Sequence, residues 1–254
     1  MRRPRRQQRF QCSAPFLVFL LAVVSGCPAT KDFDPYLVPR EEFQRVVRTI
    51  GILPPGVAVS GFRREKVASD IEFALSDLLR KRGYQVVGSD VVGPVWRRYA
   101  SQIGGLFNPL TGEPDRKKLE TARAYVARDL ARSHNVDVLA VTWTREGSLM
   151  LRTGEPPWPR FDDEVMEFHG QPILDMPQWV TAMWLYLELI EPDGRALYSA
   201  RVPVQWLTVF VARSYYRRPE HELWPTHKVH TAVRRLLVHL EPAASAATPG
   251  SSTH

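Results

Sequence analysis

The chain has 254 residues, 44% of them hydrophobic and 24% charged, which is the composition of a folded globular protein. A wholly disordered or collagen-like chain is excluded, and two cysteines are too few for a disulfide scaffold. The 34 basic and 27 acidic residues give a net charge of +7, a value that invites a polyanionic partner until its placement is considered.

Residues 1–26 hold Arg2, Arg3, Arg5, Arg6 and Arg9 and no acid, followed by the apolar run Phe16 to Val24. A basic start, a short apolar stretch and small residues make a secretory signal, and the run is about half of the roughly 20 residues that span a bilayer. The run ends in Val24-Ser25-Gly26-Cys27, which resembles the bacterial lipobox. That resemblance implies cleavage before Cys27, a diacylglyceryl thioether on its sulfur and acylation of the new amine. Two or more acyl chains suffice for stable anchoring. Pro28, rather than Asp, follows the cysteine, which by the same resemblance favours the periplasmic face of the outer membrane. Loss of five arginines leaves 29 basic and 27 acidic residues, a net charge of +2, so nucleic acid is not an expected partner. Cys12 is lost as well, and Cys27 becomes the only mature cysteine.

Residues 28–44 carry three prolines and no clear period, and read as a tether, with Cys27 to position 45 set apart from a domain over 46–240. Val46 to Leu53 is β-branched and stops at Pro54-Pro55-Gly56, which predicts a buried strand. Val67, Ile71, Leu75, Leu78 and Leu79 then recur at helical spacing within Phe62 to Arg82, and Gly83 closes that helix. Tyr84 to Val87 is a short strand, and a weaker helix runs from about Asp90 to Gln102. After the Gly- and Pro-rich stretch Ile103 to Asp115, Asp115 is placed to cap a helix lined by Leu119, Ala122, Val126 and Leu130. Asn135 ends it, and Val136 to Trp143 is a third buried strand. Trp179 to Ile190 and Arg195 to Leu207, joined by Glu191-Pro192-Asp193-Gly194, predict a β-hairpin whose far arm lies at an edge or bulge because of Pro203. A helix from Thr226 to Leu240 follows, and residues 241–254 have the composition of a disordered tail. Residues 145–178 receive no assignment. The fold class is α/β (α+β): a single mixed sheet with helices on its faces, parallel in its N-terminal half and ending in an antiparallel hairpin.

This order of elements, with Leu53-Pro54-Pro55, Gly83-Tyr84-Gln85-Val86-Val87, Asn135-Val136-Asp137-Val138-Leu139 and Glu191-Pro192-Asp193-Gly194 at its turns, resembles the CsgG-like and LpoB-like envelope lipoproteins and the TolB N-terminal domain. The resemblance implies a mixed sheet with helices on its faces and a role in binding, assembly or secretion rather than catalysis.

Candidate chemistry is sparse. His221, His227 and His230 form H-x5-H-x2-H, a spacing that can place two imidazoles on one helix face for Zn²⁺, but no His-Glu-x-x-His supplies a general base. Asp162, Asp163 and Glu164 lack the spaced ligands of a calcium loop. Gly104, Gly105 and Gly112 precede Lys117 and Lys118 without the Gly-Lys-Ser/Thr of a P-loop, and no Gly-x-Ser-x-Gly or Ser-x-x-Lys occurs. Arg63, Arg64 and Lys66, with Arg80, Lys81 and Arg82, put positive charge at both ends of one helix, where head groups or plain solvent could meet it. Tyr215, Tyr216, Arg217 and Arg218 are residue types enriched at interfaces and form the partner-binding candidate. The expectation is a lipid-anchored, non-enzymatic protein that takes no cofactor and binds an envelope protein, with self-association left open. A metal-dependent envelope hydrolase and a secretion-pore subunit are the alternatives.

Overall fold

A computed structural model of the chain describes residues 34–57, 62–109, 111, 114–150, 179–211, 214–219 and 222–243. Cys27, the acidic run Asp162 to Glu164, His221 and the tail beyond 243 lie outside these residues. The elements below belong to the unit Pro35–His254.

The fold begins earlier than the sequence suggests. Residues 35–44, read as tether, are built into the domain: helix α1 (Arg40–Val46) buries Phe43 completely, and Tyr36 is 9% exposed. Tyr36, Phe43 and Tyr198 form an aromatic triad in which Tyr36 meets the other two edge-on at 5.2 Å between centroids, the geometry the ring quadrupoles favour. The Tyr198 hydroxyl donates to the Leu236 carbonyl at 2.5 Å, and Leu37 N–H donates to Leu197 O at 2.9 Å.

Strand β1 (Thr49–Ile52) is buried at all four positions, as a strand covered on both faces must be. Helix α2 (Phe62–Lys81) leads to Gly83, whose φ of +85° fits glycine at a helix C-terminus, and then to β2 (Gln85–Val87). Helices α3 (Ser89–Gln102) and α4 (Arg116–His134) follow. Asp115 caps α4 by accepting from Lys118 N at 3.1 Å, and Asn135 closes it in the left-handed conformation at φ 53°. Strands β3 (Val138–Met150), β4 (Trp179–Ile190) and β5 (Ala196–Trp206), the small hairpin β6 (Thr208–Val211) and β7 (Ser214–Arg217), and α5 (Thr226–Leu236) complete the chain.

The five-stranded sheet has the order β2-β1-β3-β4-β5. β1 pairs in parallel with β2 and with β3, and β3, β4 and β5 are antiparallel. This is the mixed α/β sheet that the sequence predicts. The parallel start is tied by Asp137, whose Oδ2 accepts from Arg48 N at 2.8 Å and Thr49 N at 2.7 Å. Pro203 lies both on an outer strand and beside a register shift at Met183/Trp184, as its lack of an N–H requires.

Two cores flank the sheet. One packs α1, α2 and α5 against β4 and β5 through Phe43, Ile71, Leu75, Leu185, Leu187, Tyr198 and Val233. The other packs α3 and α4 over β1 and the first half of β3 through Val92, Val126, Leu130, Leu139 and Val141. Arg82 serves the first core: its guanidinium donates to the Leu237 and Leu240 carbonyls at 3.0 and 3.1 Å, satisfying the C-terminus of α5. That cation is structural, which narrows the basic cluster on α2 seen in the sequence.

Two predictions follow from this packing. Phe43→Ala should lower stability by about 3–5 kcal/mol in a urea titration, the cost of emptying a fully buried aromatic site, whereas a residue in a free tether would cost nothing. Tyr84 donates to Glu241 O at 2.8 Å, and burial, reinforced by Tyr36, pushes its phenol well above the ordinary value of 10.0. A raised folded-state value means the contribution is full below pH 10 and falls as alkali ionises the unfolded chain first. Stability should therefore decline with pH above about 10, and Tyr84→Phe should flatten that decline while costing about 1 kcal/mol at neutral pH.

Candidate functional site

The candidates read from the sequence are scattered. His227 is exposed, and His230 is half-buried and stacked on the Phe73 ring at 6.0 Å between centroids. No group of three or more metal-ligating side chains occurs among the described residues. Tyr215 and Tyr216 pair with Phe210 and Val209 in the small hairpin, and their side chains lie outside the described set. Arg217 is exposed and bonds Glu146 of β3 at 2.5 Å. Arg218 is half-buried, anchored through its N–H to Leu207 O at 2.7 Å, with its guanidinium 3.8 Å from Glu222. Among the described residues no helix is long and apolar enough to cross a membrane.

A different constellation emerges from the register of the long strands. Residues alternate between faces along a strand, so Trp143 and Arg145 on β3 share a face with Trp184, Tyr186 and Glu188 on β4 and with Ser199, Arg201 and Pro203 on β5. Trp143, Tyr186 and Arg201 form one cross-strand row, and Arg145, Trp184 and Pro203 form the next. The α3–α4 layer packs on β1 and β3 on this side and takes in Ile190 of β4 and Ala196 of β5, whereas Trp184 and Tyr186 belong to neither core among the described residues. The opposite faces of β4 and β5 are sealed by α5.

The face is made of guanidinium groups laid against rings. The Trp143 and Tyr186 rings stack at 5.1 Å and 5°. Arg123, projecting from α4, lies 5.8 Å over Trp143, and Arg201 lies 5.6 Å over Trp184. These cation–π contacts hold the planar guanidinium groups while leaving N–H edges for a ligand. Arg123 Nε is buried with no hydrogen-bond partner, and burial holds its pKa below the usual value against the pull of Glu188 and Glu120. Trp143, Trp184, Tyr186 and Glu188 are half-buried, and Arg145 and Arg201 are exposed.

Gly147 explains how the Trp184 indole lies flat. A Cβ at that position would fall 3.0 Å from both Cδ1 and Nε1 of Trp184, closer than ordinary contact. Trp184 falls within the hairpin that the sequence predicts, but the sequence has no signal for the row it joins, since residues 151–178 separate β3 from β4. A second aromatic–arginine group lies on the outer surface of α3 and α4. There Tyr99 and Tyr125 stack at 5.5 Å, Arg98 and Arg128 cover them at 4.9 and 5.4 Å, and Arg98 pairs with Asp129.

No protein-family model and no curated protein sequence matches the chain. Among solved structures, lipoprotein GNA1162 from Neisseria meningitidis is similar at 14% identity, over 75% of this chain and 98% of that one, with a TM-score of 0.35. A neuraminyllactose-binding hemagglutinin homolog from Helicobacter pylori follows at 10% identity, over 76% and 82% of the two chains, TM-score 0.32. The PelC dodecamer from Paraburkholderia phytofirmans is similar at 12% identity, over 77% and 88%, TM-score 0.33. A lipoprotein thus stands among the distant neighbours, and at these scores the likeness carries no argument about function.

Gly147→Ala should push the Trp184 ring off its seat. The expected result is a red shift in tryptophan emission that disappears when Trp184→Phe is added, with a stability loss of about 1–3 kcal/mol.

Proposed function

We propose that the protein is a lipid-anchored, non-enzymatic lipoprotein of the bacterial envelope. In this reading it is held through Cys27 at the periplasmic face of the outer membrane and binds a protein partner on the open face of β3, β4 and β5. The observation that carries the binding role is the pair of arginines laid on aromatic rings, on a stretch of the sheet that neither core takes in among the described residues. Among the described residues three guanidinium groups, Arg123, Arg145 and Arg201, meet there, with the carboxylates of Glu188 and Glu120 acting on Arg123. Such a surface suits an acidic segment: guanidinium forks take carboxylates in bidentate pairs, and Trp, Tyr and Arg are the residue types that dominate binding energy at interfaces. The anchoring role is supported by the signal-like segment and by Val24-Ser25-Gly26-Cys27. The element order supports placing the chain beside the CsgG-like and LpoB-like lipoproteins, where binding and assembly roles prevail.

Two experiments test the parts separately. Cys27→Ala should leave the chain uncleaved or outside the membrane fraction, and unchanged mass and fractionation would contradict the anchor. A fluorescent oligoglutamate peptide titrated onto the full mature protein should bind with an affinity that falls as salt rises. Arg145→Glu with Arg201→Glu should weaken it tenfold or more, about 1.4 kcal/mol. Equal affinity in the double variant would contradict the assignment of this face.

A further inference from the structure

We infer that Arg123 is the specificity-determining residue of the binding face, taking one carboxylate of the partner side-on through its Nε–H and an adjacent Nη–H. The inference rests on the acidic-partner reading proposed above and names the residue on which that reading turns.

Five arginines lie over aromatic rings among the described residues: Arg40, Arg98, Arg123, Arg128 and Arg201. Arg40 pairs with Glu241 at 3.3 Å, and Arg98 pairs with Asp129. Arg128 and Arg201 are exposed to water. Arg123 differs from all four. It is half-buried, its Nε is sealed from solvent without a hydrogen-bond partner, and among the described residues it enters no ion pair. Glu120 is taken by Arg116 at 2.9 Å and, with Glu188, acts on Arg123 only through space.

An orphaned donor on a half-buried cation is costly, and folded proteins keep such donors paired. The ring does not pair it. Stacking over Trp143 at 5.8 Å occupies the flat face of the guanidinium and leaves the N–H edge uncommitted. On that edge Nε–H and one Nη–H run parallel, the fork that accepts both oxygens of a single carboxylate. Lysine carries the charge without the fork. Ala122, Val126 and Ala127 around it on α4 are buried, which fixes the backbone from which Arg123 projects. Burial, which holds its pKa below the usual value, also shields its attraction from salt, unlike that of exposed Arg145 and Arg201. Glu188 competes for the same cation, so removing that carboxylate should favour the partner's.

The test titrates the fluorescent oligoglutamate peptide onto the full mature protein at about 0.05 and about 0.2 M salt. Arg123→Lys should weaken binding about tenfold or more, by a factor that salt leaves unchanged. The loss from Arg201→Glu should instead shrink as salt rises. Glu188→Gln should tighten binding several-fold, and that gain should vanish in the Arg123→Lys background. Arg123→Met separates binding from folding: loss of an unpaired half-buried cation should leave the urea midpoint unchanged or raised while binding falls. Arg123→Lys that binds like the wild type, with Arg145→Glu and Arg201→Glu still weakening binding, overturns the inference and leaves the binding face standing. A lowered urea midpoint in both Arg123 variants makes the residue structural and also overturns it. Wild-type protein that does not bind the peptide overturns both the inference and the reading beneath it.

Discussion

The structure turns on the unequal length of β3 and its neighbours. β3 pairs in parallel with β1 only over Val138 to Ala140, but in antiparallel with β4 along its whole described length, Leu139 to Met150. The helices α3 and α4 are sized to the short parallel part. They bury Leu139 and Val141 and reach Trp143 through Arg123, and among the described residues Trp184 and Tyr186, farther along, join neither core. A bare sheet face cannot present plain apolar side chains to water without inviting aggregation. Here the rings at the margin are partly shielded by arginines, so the same contacts that make the face soluble also arm it with cations.

The opposite constraint comes from the aromatic triad of Tyr36, Phe43 and Tyr198. It draws residues 35–44 into the core and makes them part of the domain. The rows at Arg201 and Pro203 lie about 10–17 Å farther along β5 than Tyr198.

Local signals in the sequence specified most of the elements. Val67, Ile71, Leu75 and Leu79 marked α2, Gly83 and Asn135 marked helix ends through the left-handed backbone they adopt, and Asp115 marked a cap. The turn at Asp193-Gly194 marked the hairpin. α1 was missed because a single core residue, Phe43, in seven makes no period, and because Pro35 and Pro39 suggest a linker. The extension of β3 past Trp143 was missed because Thr144, Arg145 and Glu146 read as polar, although Thr144 is buried and Arg145 lies on the face. The face itself is a property of register. Trp143 meets Tyr186 across a long intervening segment, and no spacing in a single sequence encodes that partner. The histidines and the Tyr215–Arg218 stretch drew attention by composition, which carries no information about which side chains converge.

The most direct test of the account is position-specific photo-crosslinking in intact envelopes. A photo-reactive residue would replace Arg201 on the open face, and separately Phe73 on the outer side of α2, in the otherwise native lipoprotein. The account predicts a discrete protein adduct from position 201 that is absent at 73 and is lost when Arg145→Glu is added. No adduct at 201, or the same adducts from both positions, would contradict it.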